Sequence, residues 1–148
     1  MIIAKDINER ETILKKLKRM QIDDFYNIFK IMDGKEVTIR LLDAPLHEFL
    51  PHNESELDEF LNHLKTAKKD YTKKELKSSI EMLSEINPML GHRGCRVAIS
   101  YPEIYAMQIE AIFEASYKAK KEGISSYPEI MIPLVMSFRE LKQIAYGK

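Results

Sequence analysis

Apolar residues along this chain recur mostly at helical spacing, broken by two short runs dense enough to be strands. Ile13, Leu14, Leu17 and Met20 make one stripe, and Phe25, Ile28, Phe29 and Met32 a second at the same i, i+3, i+4, i+7 spacing, which predicts two helices before the first strand. Asp33-Gly34 is a turn signal that closes the second. Val37–Leu42 then reads as a nearly continuous apolar strand, of the kind covered on both faces in a parallel sheet. After Pro51, Leu57, Phe60, Leu61 and Leu64 fall on one helical face behind Ser55 as N-cap. The Lys-rich stretch from Lys65 to Lys74 interrupts the pattern and reads as a solvated connection. Thr72-Lys73-Lys74-Glu75 has the form of a capping box, in which the hydroxyl takes the third helical amide and the glutamate reaches back to the cap amide. Leu76, Ile80 and Leu83 supply the buried face of the helix it opens.

Asn87-Pro88 stops that helix, because the residue before proline is pushed out of the α region. Gly91 and Gly94 then allow a loop with unusual dihedrals. Ser100-Tyr101-Pro102-Glu103 predicts another capping box, with proline in the first turn, opening the longest helix over residues 102–121. Ile104, Met107, Ala111 and Ala115 are placed on one face, Glu103, Glu110, Glu114 and Lys121 on the opposite one, and Gly123 ends the helix. Ile130–Val135 is the second predicted strand, and Ser137-Phe138-Arg139-Glu140 caps a last helix. The order helix, helix, strand, helices, strand, helix, without tandem repeat or low-complexity segment, suits a parallel α/β unit.

Composition narrows the function more than the fold. A domain of 148 residues can bury about two-thirds of its unfolded surface, and 45% hydrophobic with 31% charged residues is ordinary for a globular protein. Lys plus Arg (23) balance Asp plus Glu (23), so net charge points to neither nucleic acid nor an anionic membrane surface. No apolar run reaches the roughly 18 residues of a membrane span, and no signal-peptide layout opens the chain; a cytoplasmic location is the expectation. The lone Cys95 excludes an internal disulfide and a multi-cysteine metal site, and reads as a small buried hydrophobe rather than a nucleophile. His47, His52 and His63 lack the close spacing of a metal site and read as surface residues.

Arg40 is the residue on which chemistry can be argued. A guanidinium within an apolar strand costs several kcal/mol if buried alone, so it needs an anion or an ion pair. Its planar fork matches phosphate oxygens, and a structural pair with Asp43 or Glu48 would satisfy it equally. Arg93 and Arg96 flank a glycine-containing loop beside His92, which could titrate near neutrality. This cluster either lines an anion pocket or braces its own loop, and the bracing role is favoured.

Four strings carry a family resemblance: Val37-Thr38-Ile39-Arg40-Leu41-Leu42-Asp43-Ala44-Pro45-Leu46-His47-Glu48-Phe49-Leu50-Pro51, Asn87-Pro88-Met89-Leu90-Gly91-His92-Arg93-Gly94-Cys95-Arg96, Tyr101-Pro102-Glu103-Ile104 and Pro128-Glu129-Ile130-Met131-Ile132-Pro133-Leu134-Val135. Across residues 1–148 the chain resembles pyruvate, phosphate dikinase. The resemblance implies an α/β fold: the early portion of a C-terminal phosphoenolpyruvate-binding (β/α)8 TIM barrel, with two parallel strands, the second and third of the barrel. A largely helical insertion over about residues 46–95 would lie on the active-site side. A whole barrel needs about 200 to 400 residues, so 148 form a single partial domain, a fragment.

The family reaction interconverts ATP, phosphate and pyruvate with AMP, diphosphate and phosphoenolpyruvate. Arg40 falls on a family arginine that binds the phosphoryl group of phosphoenolpyruvate. Mg²⁺ is the family cofactor, held by acidic motifs on later strands that do not occur here, and the phosphate-carrying histidine and the acid cysteine of the family are likewise not matched by His92 or Cys95. No metal ligand and no catalytic residue are therefore assigned, and the fragment is expected to be inactive alone, to need no cofactor, and to meet the remaining barrel pieces or its own copies. Three positions depart from the family pattern: Ala44 for a second proline, Glu110 for an arginine, and Met136 for a glycine after the strand. A non-catalytic remnant or docking module, or a fragment of a phosphoenolpyruvate synthase or of a phosphotransferase-system relative, are the other readings; the Leu46–Pro51 and His92–Arg96 strings favour the dikinase.

Overall fold

A computed structural model describes residues 4, 6–43, 50–66, 71–83 and 91–146, with the backbone alone at 82 and 83. They fall into two compact units, one made of residues up to Asp43 and from Gly94 onward, the other of residues between Ala44 and Arg93.

The first unit opens with α1, Ile7–Ile31, a single 25-residue helix where two were predicted. No glycine or proline interrupts the stretch, and Leu14, Leu17, Gln21, Phe25 and Phe29 follow one another at steps of three or four, so the two stripes are one face. Leu14 and Phe29 are buried on it. Asp6 caps the start by accepting the Glu9 amide at 2.7 Å. Gly34, at φ +72°, turns the chain into the sheet.

Strand β1, Glu36–Arg40, runs parallel to β2, Tyr127–Met131, in a register that pairs Glu36 with Tyr127 and Arg40 with Met131. The ladder goes one step further, with the Leu41 amide donating to the Met131 carbonyl at 3.0 Å. Two predictions are corrected here. The second strand begins three residues before the predicted Ile130 and takes in Pro128, which a strand with a free edge tolerates. Nor is β1 covered on both faces: Val37 and Ile39 point inward, while Glu36, Thr38 and Arg40 are exposed on the other face. There Thr38 Oγ1 donates to Glu129 Oε2 at 2.6 Å across the two strands.

Helix α5, Pro102–Lys121, has the predicted limits and packs along α1 and against β2. Ala111, Ala115 and Ala119, each fully buried and four residues apart, let the α1 backbone come close. The acidic residues do not lie opposite this seam as predicted. At about 100° per residue they sit roughly a quarter turn to its side, within reach of α1. Arg10 Nη1 meets Glu103 Oε1 at 2.5 Å, and Lys18 Nζ lies 2.7 Å from Glu110 and 2.6 Å from Glu114. Those hydrogen bonds, Glu110's first, raise the Lys18 pKa. Arg10 also stacks over Tyr101, 4.4 Å from the ring centre. Gly123, at φ +81°, ends α5 in a Schellman motif: its amide reaches the Lys120 carbonyl at 3.1 Å and the Ile124 amide the Ala119 carbonyl at 3.1 Å.

Ahead of α5 lies α4, Cys95–Ser100, a short helix where a loop was predicted. Ser100 is its last residue, so the predicted Ser100 capping box does not form. Tyr101 caps α5 without a side-chain bond, Pro102 occupies the first turn, and Glu103 is spent on Arg10. The final helix, α6, Phe138–Tyr146, does carry its predicted box. Glu140 receives the Met136 amide at 2.8 Å and the Ser137 amide at 3.0 Å, while Ser137 Oγ accepts the Glu140 amide at 3.3 Å. The Met136 amide first, and that of Ser137 after it, hold the Glu140 carboxyl below its usual range.

In the second unit α2, Glu54–Thr66, packs on α3, Lys73–Leu83. Among the described residues of this unit Leu50, Leu57, Leu61 and Leu76 are buried, and Phe60, Leu64 and Ile80 are half-buried. Asn53, not Ser55, caps α2: its Oδ1 accepts the Glu56 amide at 2.9 Å, and Glu56 returns to the His52 amide at 2.8 Å. The Thr72 box is present, with the Glu75 amide 3.2 Å from Thr72 Oγ1 and the Thr72 amide 2.8 Å from Glu75 Oε2. Lys73 bridges Asp58 and Glu54 at 2.6 and 2.9 Å, tying the two helices. The predicted stop at Asn87-Pro88 and the middle of the Lys65–Lys74 connection lie outside the described residues, as does the side chain of Leu83.

No described helix is long and apolar enough to cross a membrane. Among the described residues each strand has one neighbour, and Tyr127, Met131, Met136, Phe138, Leu141 and Tyr146 are exposed. A two-stranded sheet with apolar surface beside it is marginal alone. A polypeptide of these 148 residues is therefore expected to self-associate. Size-exclusion chromatography with light scattering should report a mass above the monomer, with binding of a dye for apolar surface; a sharp monomer peak, no dye binding and a cooperative melt would overturn this.

Candidate functional site

The carboxyl end of β1 brings together two of the residues that the sequence singled out, Arg40 and Asp43. Arg40 is the last residue of β1 and lies on its exposed face, its side chain 62% accessible. The guanidinium is thus not buried within the strand, and the desolvation cost expected for it does not arise. Its Nη1 lies 3.5 Å from Oδ2 of Asp43, whose side chain is only 6% accessible. One end of the pair is fixed in protein and the other faces solvent, with guanidinium donors to spare for a second anion. Glu48, the other partner foreseen for Arg40, is outside the described residues.

Asp43 sits against the turn that opens α4. Gly94 there has φ +57°, and a Cβ on it would lie 3.0 Å from Asp43 Oδ1, 3.1 Å from Leu134 Cβ and 3.1 Å from the Pro133 carbonyl. Both backbone and space demand glycine at this point. From the next residue, the Cys95 amide donates to the Pro133 carbonyl at 3.1 Å and its thiol to the Leu134 carbonyl at 3.2 Å. Cys95 is fully buried, as its sequence reading expected, and burial is the first cause raising its thiol pKa. Leu134 has φ +59°. The left-handed residue after β2 is therefore Leu134, two positions before Met136, where the resemblance led to the expectation of a glycine.

Arg96 turns to α6: its Nη2 donates to the Met136 sulfur at 2.9 Å and its Nε lies 3.7 Å from Glu140 Oε1. These contacts join α4 to α6. Arg93 and His92 belong to the second unit, both half-buried, where the Arg93 amide donates to the Gly91 carbonyl at 2.9 Å. Of the predicted site residues, the structure brings Arg40 and Asp43 together and gives Arg96 its own partners. Glu110, another departure, is the Lys18 partner in the α1–α5 seam; Ala44 is outside the described residues.

Among the described residues no three His, Cys, Asp or Glu side chains converge to hold a cation, and His52 and His63 are exposed. The described donors therefore do not make a site for the Mg²⁺ that the resemblance implied. His47 lies outside the described residues.

Two residues near the site escaped the sequence reading. Tyr105 and Gln108 belong to the buried face of α5, and they take both backbone groups of Leu42: the Tyr105 hydroxyl donates to its carbonyl at 2.9 Å, and Gln108 Oε1 accepts its amide at 2.8 Å. Burial, ahead of the nearby Cys95 and Asp43, pushes the Tyr105 phenol above its ordinary range, keeping it a neutral donor. The available signal was a glutamine and a tyrosine one turn apart on an otherwise apolar helix face.

Comparison with known proteins places these observations. The family described as PEP-utilising enzyme, PEP-binding domain, matches residues 3–146. Pyruvate, phosphate dikinase of Treponema pallidum (strain Nichols) is 65% identical over 100% of this chain and 16% of its own length. Pyruvate, phosphate dikinase 2 of Oryza sativa subsp. japonica is 50% identical over 97% of the chain and 16% of its own length. The Rickettsia prowazekii (strain Madrid E) pyruvate, phosphate dikinase is 47% identical over 97% of the chain and 16% of its length. This chain thus spans 16% of the length of these curated relatives.

The buried thiol gives a direct check. With its pKa raised, Cys95 holds less thiolate at neutral pH than a free cysteine, and the thiolate is the reactive form. A disulfide reagent such as DTNB should label it at least about tenfold more slowly in the native chain than in urea. Equal rates would show the thiol to be open.

Proposed function

This chain belongs to the PEP-utilising enzymes, in their PEP-binding domain, and we propose that within a pyruvate, phosphate dikinase it supplies a phosphate-binding arginine, Arg40. In this reading residues 1–148 are one piece of a (β/α)8 barrel, and β1 and β2 are two of its neighbouring strands. The observation that carries it is the Arg40 guanidinium, largely open at the carboxyl end of a parallel strand and held from behind by buried Asp43. Ligands of α/β barrels bind at that end of the strands. A guanidinium there receives phosphoryl oxygens through two parallel N–H donors, and Asp43 limits the rotamers it must give up on binding.

Phosphoryl transfer rests on positioning and charge neutralisation. Arg40 would contribute both, orienting the phosphoryl group of phosphoenolpyruvate and offsetting part of its charge. Mg²⁺, when bound in the family enzyme, supplies further neutralisation through residues other than those described here. Arg96 supports the reading indirectly, by fixing α4 and hence Gly94 against Asp43. The partners are phosphoenolpyruvate or pyruvate and the remaining barrel strands, in the cytoplasm.

Two outcomes are expected. Titration calorimetry with phosphoenolpyruvate should show binding weakened about ten- to a hundredfold by Arg40→Ala, the consequence of losing one charge-assisted partner at about 1.5 to 3 kcal/mol. Equal binding by the two proteins would remove Arg40 from the site and leave a docking module. A polypeptide of these 148 residues alone should form no pyruvate from phosphoenolpyruvate, AMP and diphosphate above a no-protein control. Turnover that survives purification and disappears in Arg40→Ala would refute that.

A further inference from the structure

We infer that Tyr105 and Gln108 are positioning residues for the Arg40–Asp43 pair: they hold the backbone amide and carbonyl of Leu42 and so set the direction in which the chain leaves β1. The inference rests on the reading of Arg40 as an anion-binding residue.

Leu42 lies between the end of the sheet ladder and Asp43. The last ladder bond is the Leu41 amide to Met131, so neither backbone group of Leu42 is held by a strand. Both are held by α5 instead, the carbonyl by the Tyr105 hydroxyl at 2.9 Å and the amide by Gln108 Oε1 at 2.8 Å. The Leu42 amide and carbonyl belong to the two peptide planes on either side of its Cα, so holding both restrains φ and ψ of Leu42 together, where a single bond would leave one plane free to turn. Asp43 follows directly, and its carboxylate has little freedom: it is 8% exposed as a residue and closed in by Gly94. Arg40 precedes Leu42 by two residues and returns to Asp43 at 3.5 Å. Of the two residues between the ends of the ion pair, Leu41 is held by β2 and Leu42 by α5.

Placement on α5 matters as well. Tyr105 and Gln108 are 3% and 7% exposed, set in the same helix face as Ile104, Ala111 and Ile112. A buried hydroxyl or amide oxygen is costly unless partnered, and here the Tyr105 hydroxyl and Gln108 Oε1 both find their partner on the backbone of Leu42. The helix that forms the core therefore also serves as the reference against which the site is aimed. Small misplacements of such a pair translate into large losses for a bidentate ligand.

The test uses the full chain and three α5 variants. Gln108→Met keeps volume and removes the acceptor; Gln108→Glu keeps an acceptor for the Leu42 amide; Tyr105→Phe removes the donor. Hydrogen exchange read by mass spectrometry should show faster exchange in peptides spanning Leu42 and Asp43 for Gln108→Met, with α1 and the rest of α5 unchanged, and Gln108→Glu should restore protection. Calorimetry with phosphoenolpyruvate should show about three- to tenfold weaker binding for Gln108→Met and for Tyr105→Phe, the effect of one lost hydrogen bond. In an Arg40→Ala background Gln108→Met should have no further effect.

Local loosening without any change in affinity, while Arg40→Ala does weaken binding, would overturn the positioning role and leave the anion site standing. Additive losses from Gln108→Met and Arg40→Ala would overturn it too, since they mean that Gln108 acts on something other than Arg40. Wild-type affinity unaffected by Arg40→Ala would instead sink the anion-site reading; the exchange data then decide whether Gln108 orders the Leu42–Asp43 segment, and unchanged exchange in Gln108→Met removes the clamp itself.

Discussion

The packing of α5 on α1 sets where everything else in the first unit falls. It depends on Ala111, Ala115 and Ala119, whose methyl-sized side chains leave room for the α1 backbone, and on Ile104, Met107 and Ile112 to fill the remainder. Once the two helices are together, Tyr105 and Gln108 have a fixed location from which to reach β1. The ion pairs of Arg10 and Lys18 flank the seam and are partly exposed, so each adds at most about 1 kcal/mol. Burial supplies the strength of the contact, and the charges help to choose its alignment.

From this seam the site follows by short steps. The α5 face fixes Leu42, Leu42 precedes Asp43, and Asp43 lies against Gly94 and within reach of Arg40. The turn after β2 enters from the other side, where Pro133 and Leu134 give their carbonyls to Cys95. Leu42 before Asp43 is thus held by α5 and the Pro133–Leu134 turn by Cys95, while the Arg40 guanidinium is largely open. An aspartate buried behind an exposed arginine is the reverse of the arrangement expected when Arg40 was taken to lie inside a covered strand.

Much of this was legible in the residues themselves. The Thr72 and Ser137 boxes, the limits of α5 and its Gly123 terminus follow from local chemistry, and local chemistry is what a sequence displays. Several failures share a cause. Whether β1 is covered on one face or both, and whether Glu103 caps its own helix or pairs with Arg10, are settled by partners about 90 residues away. The strand limits failed similarly: the apolar run after Ile130 looked like the strand, yet pairing with β1 fixes the ladder at Tyr127–Met131. At the site, Arg40 could be named because an arginine among aliphatics stands out, whereas Tyr105 and Gln108 could not, because their role exists only once Leu42 is beside them.

The register that pairs Glu36 with Tyr127 joins residues 91 positions apart, with the whole second unit between them. Closing a connection of that length costs entropy that grows only as its logarithm, about 0.6 kcal/mol for each doubling. An insertion there is therefore inexpensive at equilibrium. The burden falls on kinetics, because neither the sheet nor the α1–α5 seam can form until distant segments meet, and folding slows as contacts become less local. A second unit that gathers α2 and α3 early, around Leu57, Leu61 and Leu76, would shorten the effective tether between the strands and speed the encounter on which the first unit waits.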